Sequence, residues 1–189
     1  MCVVHGEVYP VAPVTIPSAR FIRQLGEQSQ VPMWLPWPLP RGWVVGAAIH
    51  AGDDAAGVRA VGVAISGPNP LGGPGDLVLI AEEPGVGLGA GLAGIEGGDP
   101  GKVVEGEPHA RLHVYGRPVP LWFVEGAPDR AAYAGQWGGI WLWSILYPQT
   151  AGVLLVEEIS VVDLRDLGGE ADVLPYGTPP PWLSSGSRP

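Results

Sequence analysis

Cysteine occurs once in this 189-residue chain, at Cys2, and lysine once, at Lys102. A single cysteine excludes an intrachain disulfide and fits a reducing compartment. Ten basic residues stand against nineteen acidic ones, a formal net charge of −9. No basic run offers the clustered cations that a nucleic acid or an anionic membrane surface requires. Long apolar stretches are also missing. The longest, Ile140 to Tyr147, falls far short of the roughly 20 residues that span a bilayer. Nor does a charged segment followed by an apolar one open the chain, as a secretory signal would. These absences predict a cytoplasmic protein with neither a nucleic-acid nor a membrane partner.

Glycine, with 30 residues, proline, with 22, and tryptophan, with eight, are abundant. Inside a helix, Gly costs about 1 kcal/mol and Pro about 3 relative to Ala, so long helices are disfavoured. The expected fold is α+β and strand-rich: a mainly antiparallel sheet with few short helices. Strands are predicted over Trp43–His50, Val58–Ser66, Leu77–Ala81, His109–Tyr115, Pro118–Val124 and Ile159–Leu164, the first two pairing as a hairpin. A further hairpin is expected between Ile140–Tyr147 and Gly152–Val156, turning through Pro148–Ala151.

Ser18 is placed to cap a short helix carrying Phe21, Ile22 and Leu25 on one side. Prolines 32, 36, 38 and 40 favour an extended path around Trp34 and Trp37. A weak helix is predicted from Pro84, tolerated at a first helical position. The composition marks a single domain 10–174 and a disordered Pro/Gly/Ser tail 175–189.

Gly89-Ala90-Gly91-Leu92-Ala93-Gly94 spells a dinucleotide-binding fingerprint. With Gly this common, roughly 0.7 matches are expected by chance, and the motif begins well beyond its strand instead of in a tight turn. No Walker-type loop is present, since Lys102 is not followed by Ser or Thr. His109 and His113 have a helical metal spacing, but on a strand they stand ~13 Å apart, too far for one ion.

Glu82 and Glu83 end a buried strand and precede the glycine segment. They are the candidate acid/base residues of an enzyme acting on a small acyl or phosphoryl substrate, with the Gly85–Gly91 amides holding an anion. A small-ligand-binding or protein-interaction module is the leading expectation, with Gly87, Gly89, Trp34 and Trp37 as its binding residues. Trp141 and Trp143 are expected in the core. Cys2 and His5 have the C-x-x-H spacing of half a zinc site, and a closed site needs four ligands. No cofactor is expected in this chain as it stands.

Several stretches resemble an uncharacterised family of actinobacterial proteins. They are Cys2-Val3-Val4-His5-Gly6-Glu7-Val8, Val31-Pro32-Met33-Trp34-Leu35-Pro36-Trp37-Pro38-Leu39-Pro40, Ser66-Gly67-Pro68, Gly85-Val86-Gly87-Leu88-Gly89-Ala90 and Trp141-Leu142-Trp143. The resemblance implies an upstream C-x-x-C pair that would complete a small zinc ribbon with Cys2 and His5. On that expectation residues 1–9 are its remnant, and zinc belongs to a longer form. Some members carry a phosphotransacetylase label. No phosphate cradle with basic residues accompanies it in this sequence.

Overall fold

The computed structural model describes residues 11–53, 57–103 and 105–185. Nine strands make one sheet in the order β1-β9-β5-β6-β7-β8-β4-β3-β2. They are β1 (Trp34–Pro36), β2 (Val44–Asp53), β3 (Gly57–Pro68), β4 (Pro74–Glu82), β5 (Ala110–Val114), β6 (Arg117–Val124), β7 (Ala131–Trp137), β8 (Ile140–Tyr147) and β9 (Ile159–Asp163). Every pairing is antiparallel except β5 with β9. The sheet curls until β1, at one end of the order, packs against β3 and β4.

The helices are short. They are α1 (Ala19–Gln28), α2 (Leu88–Ala93) and α3 (Pro181–Ser185), with 3-10 segments η1 (Gly101–Val103), η2 (Gln149–Val156) and η3 (Leu164–Val173). The architecture is strand-rich and mainly antiparallel with few helices, in line with the α+β expectation at that level. No helix of the described residues is long and apolar enough to cross a membrane.

Side chains alternate across a strand, and the curl turns that alternation into two apolar layers. On the inner face Leu77, Leu79 and Ala81 of β4 meet Leu142 and Leu146 of β8, with Trp34, α1, η2 and η3 closing the layer. On the outer face Val78 and Ile80 meet Trp143 and Ile145, covered by α2 and α3. Residues 77–81 are consequently buried without interruption, as a doubly apolar run predicts, and the burial extends to Glu82. The Ser18 cap forms as expected: its Oγ accepts from the Phe21 N–H at 3.2 Å, and Ile22 and Leu25 face the core.

Three expectations need correction. Gly152–Val156 is 3-10 helix, because both edges of β8 are already taken, by β4 and by β7, and no free edge remains for a returning strand. The true partner hairpin is β7–β8, turning through Gly138 and Gly139, both at positive φ. The second is the helix predicted from Pro84, which forms only over Leu88–Ala93, after the positive-φ Gly85 and Gly87. The third concerns the C-terminal segment.

Residues 175–185 form an ordered clasp where a disordered tail was expected. Val45 N–H donates to the Pro175 carbonyl at 2.8 Å and Gly177 N–H to the Val45 carbonyl at 2.9 Å, covering part of the β2 edge. The segment then crosses that edge over Gly46, where an added Cβ would lie 2.9 Å from the Thr178 carbonyl oxygen. On the outer face Trp182 stacks on Tyr147 with ring centroids 5.2 Å apart, lies under the Arg130 guanidinium, and donates its indole N–H to Asp76 at 2.9 Å. Burial of a large aromatic with its polar atom satisfied outweighs the ordering entropy that the composition suggested would win.

Candidate functional site

The glycine segment and Glu82 do come together, but away from solvent. Glu82 ends β4 pointing into the outer layer and is 0% exposed. Its Oε1 accepts from Trp143 Nε1 at 2.6 Å and its Oε2 from the Gly89 N–H at 3.1 Å. Burial drives its carboxyl up to about 7. Hydrogen bonds from Gly89, Trp143 and Leu88 oppose the rise, and nearby Asp99 adds to it. An added Cβ on Gly89 would fall 2.3 Å from the Trp143 ring, so only glycine lets α2 lie against that indole. Gly87 caps α2 at φ +87°, a conformation that favours glycine.

Glu83 points elsewhere and pairs with Arg59, Nε to Oε2 at 2.6 Å. Asp99, which sequence reasoning passed over, repeats the Glu82 arrangement: its Oδ1 accepts from Trp141 Nε1 at 2.6 Å and from the Gly85 N–H at 2.9 Å. Together with Trp182 and Asp76, three indoles of the outer layer each end on a carboxylate. Trp141 and Trp143 are core, as expected.

The two tryptophans of the proline-rich run do not share an exposed patch. Trp34 is 1% exposed and meets the Tyr115 ring edge-on, and Trp37 is half-buried against the same inner layer. His109 accepts a hydrogen bond at Nδ1 from the Phe123 N–H, which ties it to β6. Cys2 and His5 lie outside the described residues.

A cleft that the sequence did not announce lies between α1 and η3, with a volume of about 380 Å³. Ile22, Leu164 and Ala171 lie among its lining and are all buried in the inner layer. Gly26 on one wall and Gly168 and Gly169 on the other line it without side chains. Gly168, at φ 53° and ψ −126°, breaks η3 in two, and an added Cβ on Gly168 or Gly169 would touch nothing within 4 Å.

Charges of both signs line the cleft. Arg23 of α1 pairs across it with Asp172 of η3, both side chains well exposed at 58% and 43%. Arg165 is anchored from below: Nε and Nη2 hold Asp163 Oδ2 at 2.8 and 2.5 Å, and Nη1 reaches the Ser29 carbonyl at 3.1 Å. The buried Asp163 carboxylate, 4% exposed, raises the Arg165 guanidinium further above its ordinary range. Asp163 also accepts from the Met33 and Arg165 N–H groups, so one carboxylate joins β1, β9 and η3 beneath the cleft. The signal available in the sequence was Asp163 two residues before Arg165, with Gly168-Gly169 breaking the segment that follows.

No curated protein and no solved structure matches the chain. A model of a family of unknown function, DUF6758, matches residues 1–183, and the chain belongs to that family.

Proposed function

We propose that this chain is a cytoplasmic small-ligand-binding domain whose site is the α1–η3 cleft. One observation carries the reading: a concavity of about 380 Å³ with a buried apolar floor and charged side chains at its walls. That combination, within the usual size range of ligand pockets, fixes a small molecule by burial and orients it by a few polar groups. The anchored Arg165 supports it, because a guanidinium already held by Asp163 and Ser29 loses little further freedom on binding. The test is a thermal-shift screen of metabolites on the full chain and on Gly169→Phe, which adds a ring at the η3 wall of the cleft. Ligands of this site raise the melting temperature of the first protein and not of the second. Hits that act equally on both, or a screen without hits, would remove the reading.

A second reading, an enzyme with Glu82 as acid/base, has one observation in its favour: a carboxyl pushed up to about 7, the range useful for proton transfer at neutral pH. Against it stand the complete burial of Glu82 and its engagement by Trp143 and Gly89. Glu82→Gln preserves ligand binding at the cleft on the first reading and abolishes turnover on the second.

A further inference from the structure

We infer that Tyr176 is a positioning residue for the cleft: its hydroxyl ties the half of η3 beyond Gly168, which forms part of one wall, to the β2 edge of the sheet. This rests on the cleft being a binding site and goes beyond it by naming what sets its shape. Gly168 breaks η3 at φ 53° and ψ −126°, so each half needs its own attachment. The first half is fixed several times over. Leu164 N–H donates to the Met33 carbonyl at 2.9 Å, the Arg165 guanidinium grips Asp163 and Ser29, and the Tyr115 hydroxyl donates to Asp166 at 2.5 Å.

The second half has far less. Apart from bonds inside η3 itself, two hydrogen bonds hold it among the described residues. One is the Arg23–Asp172 ion pair, which is exposed and therefore weak. The other runs from the Tyr176 O–H to the Ala171 carbonyl at 2.7 Å. Ala171 lines the cleft and packs into the inner layer, so this bond fixes the wall at its base. Burial raises the Tyr176 phenol above its ordinary range, Asp172 adds to the rise and Arg23 opposes it, so the hydroxyl lies within the field of the pair that spans the cleft. The backbone of Tyr176 is itself anchored. The Pro175 carbonyl and the Gly177 N–H, on either side of it, both bond to Val45 of β2. Tyr176 thus has its main chain on the sheet edge and its hydroxyl on the cleft wall.

The test is cleavage of the Glu170–Ala171 bond in the full chain by a glutamate-specific protease, with initial rates read by mass spectrometry. Glu170 is exposed, but a protease cuts such a bond only when the segment opens, and the rate follows the open population. Tyr176→Phe keeps the ring and removes the hydroxyl. It is expected to raise the rate about fivefold, the effect of losing one hydrogen bond. Tyr115→Phe removes the corresponding hydroxyl from the first half and should leave that rate unchanged. No rise with Tyr176→Phe overturns the assignment. An equal rise with both variants also overturns it, because the two halves would then open together or with the whole domain. No ligand enters the experiment, so either failure leaves the binding role of the cleft to the Gly169→Phe screen.

Discussion

The outer layer and the α1–η3 cleft both use carboxylates, for opposite ends. In the outer layer, carboxylates and indoles meet in pairs: Glu82 with Trp143, Asp99 with Trp141, and Asp76 with Trp182. The Asp99 and Trp182 bonds each pin a peripheral segment to the sheet, and the Glu82–Trp143 bond ties two neighbouring strands together. In the cleft, Arg23, Glu27 and Asp172 stand at a surface where water competes for every contact. A buried polar group without its partner costs its full desolvation, whereas an exposed pair is nearly free to break. Completed bonding marks the layer as architecture, and exchangeable bonding marks the cleft as a place where something else can bind.

The sharpest way to break this contrast is Trp143→Ala. It opens a cavity and strips Glu82 of its indole partner, and it is expected to destabilise by about 4 kcal/mol, read from urea unfolding. A loss below about 1 kcal/mol would mean that the layer is not the architectural element described.

Next in size is a pH effect. The Glu82 carboxyl goes from an ordinary 4.5 when unfolded to about 7 when folded, so folding favours its protonated form. Its contribution is fully present below pH 4.5 and is lost as pH rises through 7, by about 3 kcal/mol in all. Stability curves against pH for the natural protein and Glu82→Gln should therefore diverge between pH 4.5 and 7, with the variant flatter. Parallel curves would show that Glu82 titrates normally.

Trp182→Phe keeps a ring to stack on Tyr147 and removes only the bond to Asp76. About 1 kcal/mol should be lost in the same urea assay, and no loss would remove Asp76 from the clasp. Smallest of all is Arg23→Gln, expected within about 0.5 kcal/mol of the natural stability because its ion pair is exposed. A larger effect would make the Arg23–Asp172 pair structural and weaken the case for the cleft.

Much of the sheet was legible because its strands follow simple patterns. β4 reads as an uninterrupted apolar run and β5 as strict alternation, and both form where the pattern places them. β7 was missed because Ala131–Trp137 is rich in small residues and poor in β-branched ones. The Gly138-Gly139 pair just after it is a hairpin signal that outranks strand propensity. Gly152–Val156 misled for the opposite reason: its apolar residues suit a strand, but the edges of β8 were already occupied. Edge occupancy is a property of the whole sheet and cannot be read locally.

The site was less legible than the sheet. Glu82 and Gly89 were correctly brought near one another, but whether a strand-end carboxylate faces solvent or an indole depends on Trp143, 61 residues away. The cleft depends on two helical segments more than 130 residues apart in sequence. Its most telling residues, Gly168 and Gly169, looked like ordinary chain breakers.

The clasp has a consequence for the order of events during synthesis. Asp76, Arg130 and Tyr147, which receive Trp182, leave the ribosome well before it does. Until Trp182 follows, the apolar surface around Ile80 and Ile145 lacks part of its cover, and uncovered apolar surface on a growing chain invites association with its neighbours. That surface is therefore open to aggregation in the interval between completing β8 and releasing α3.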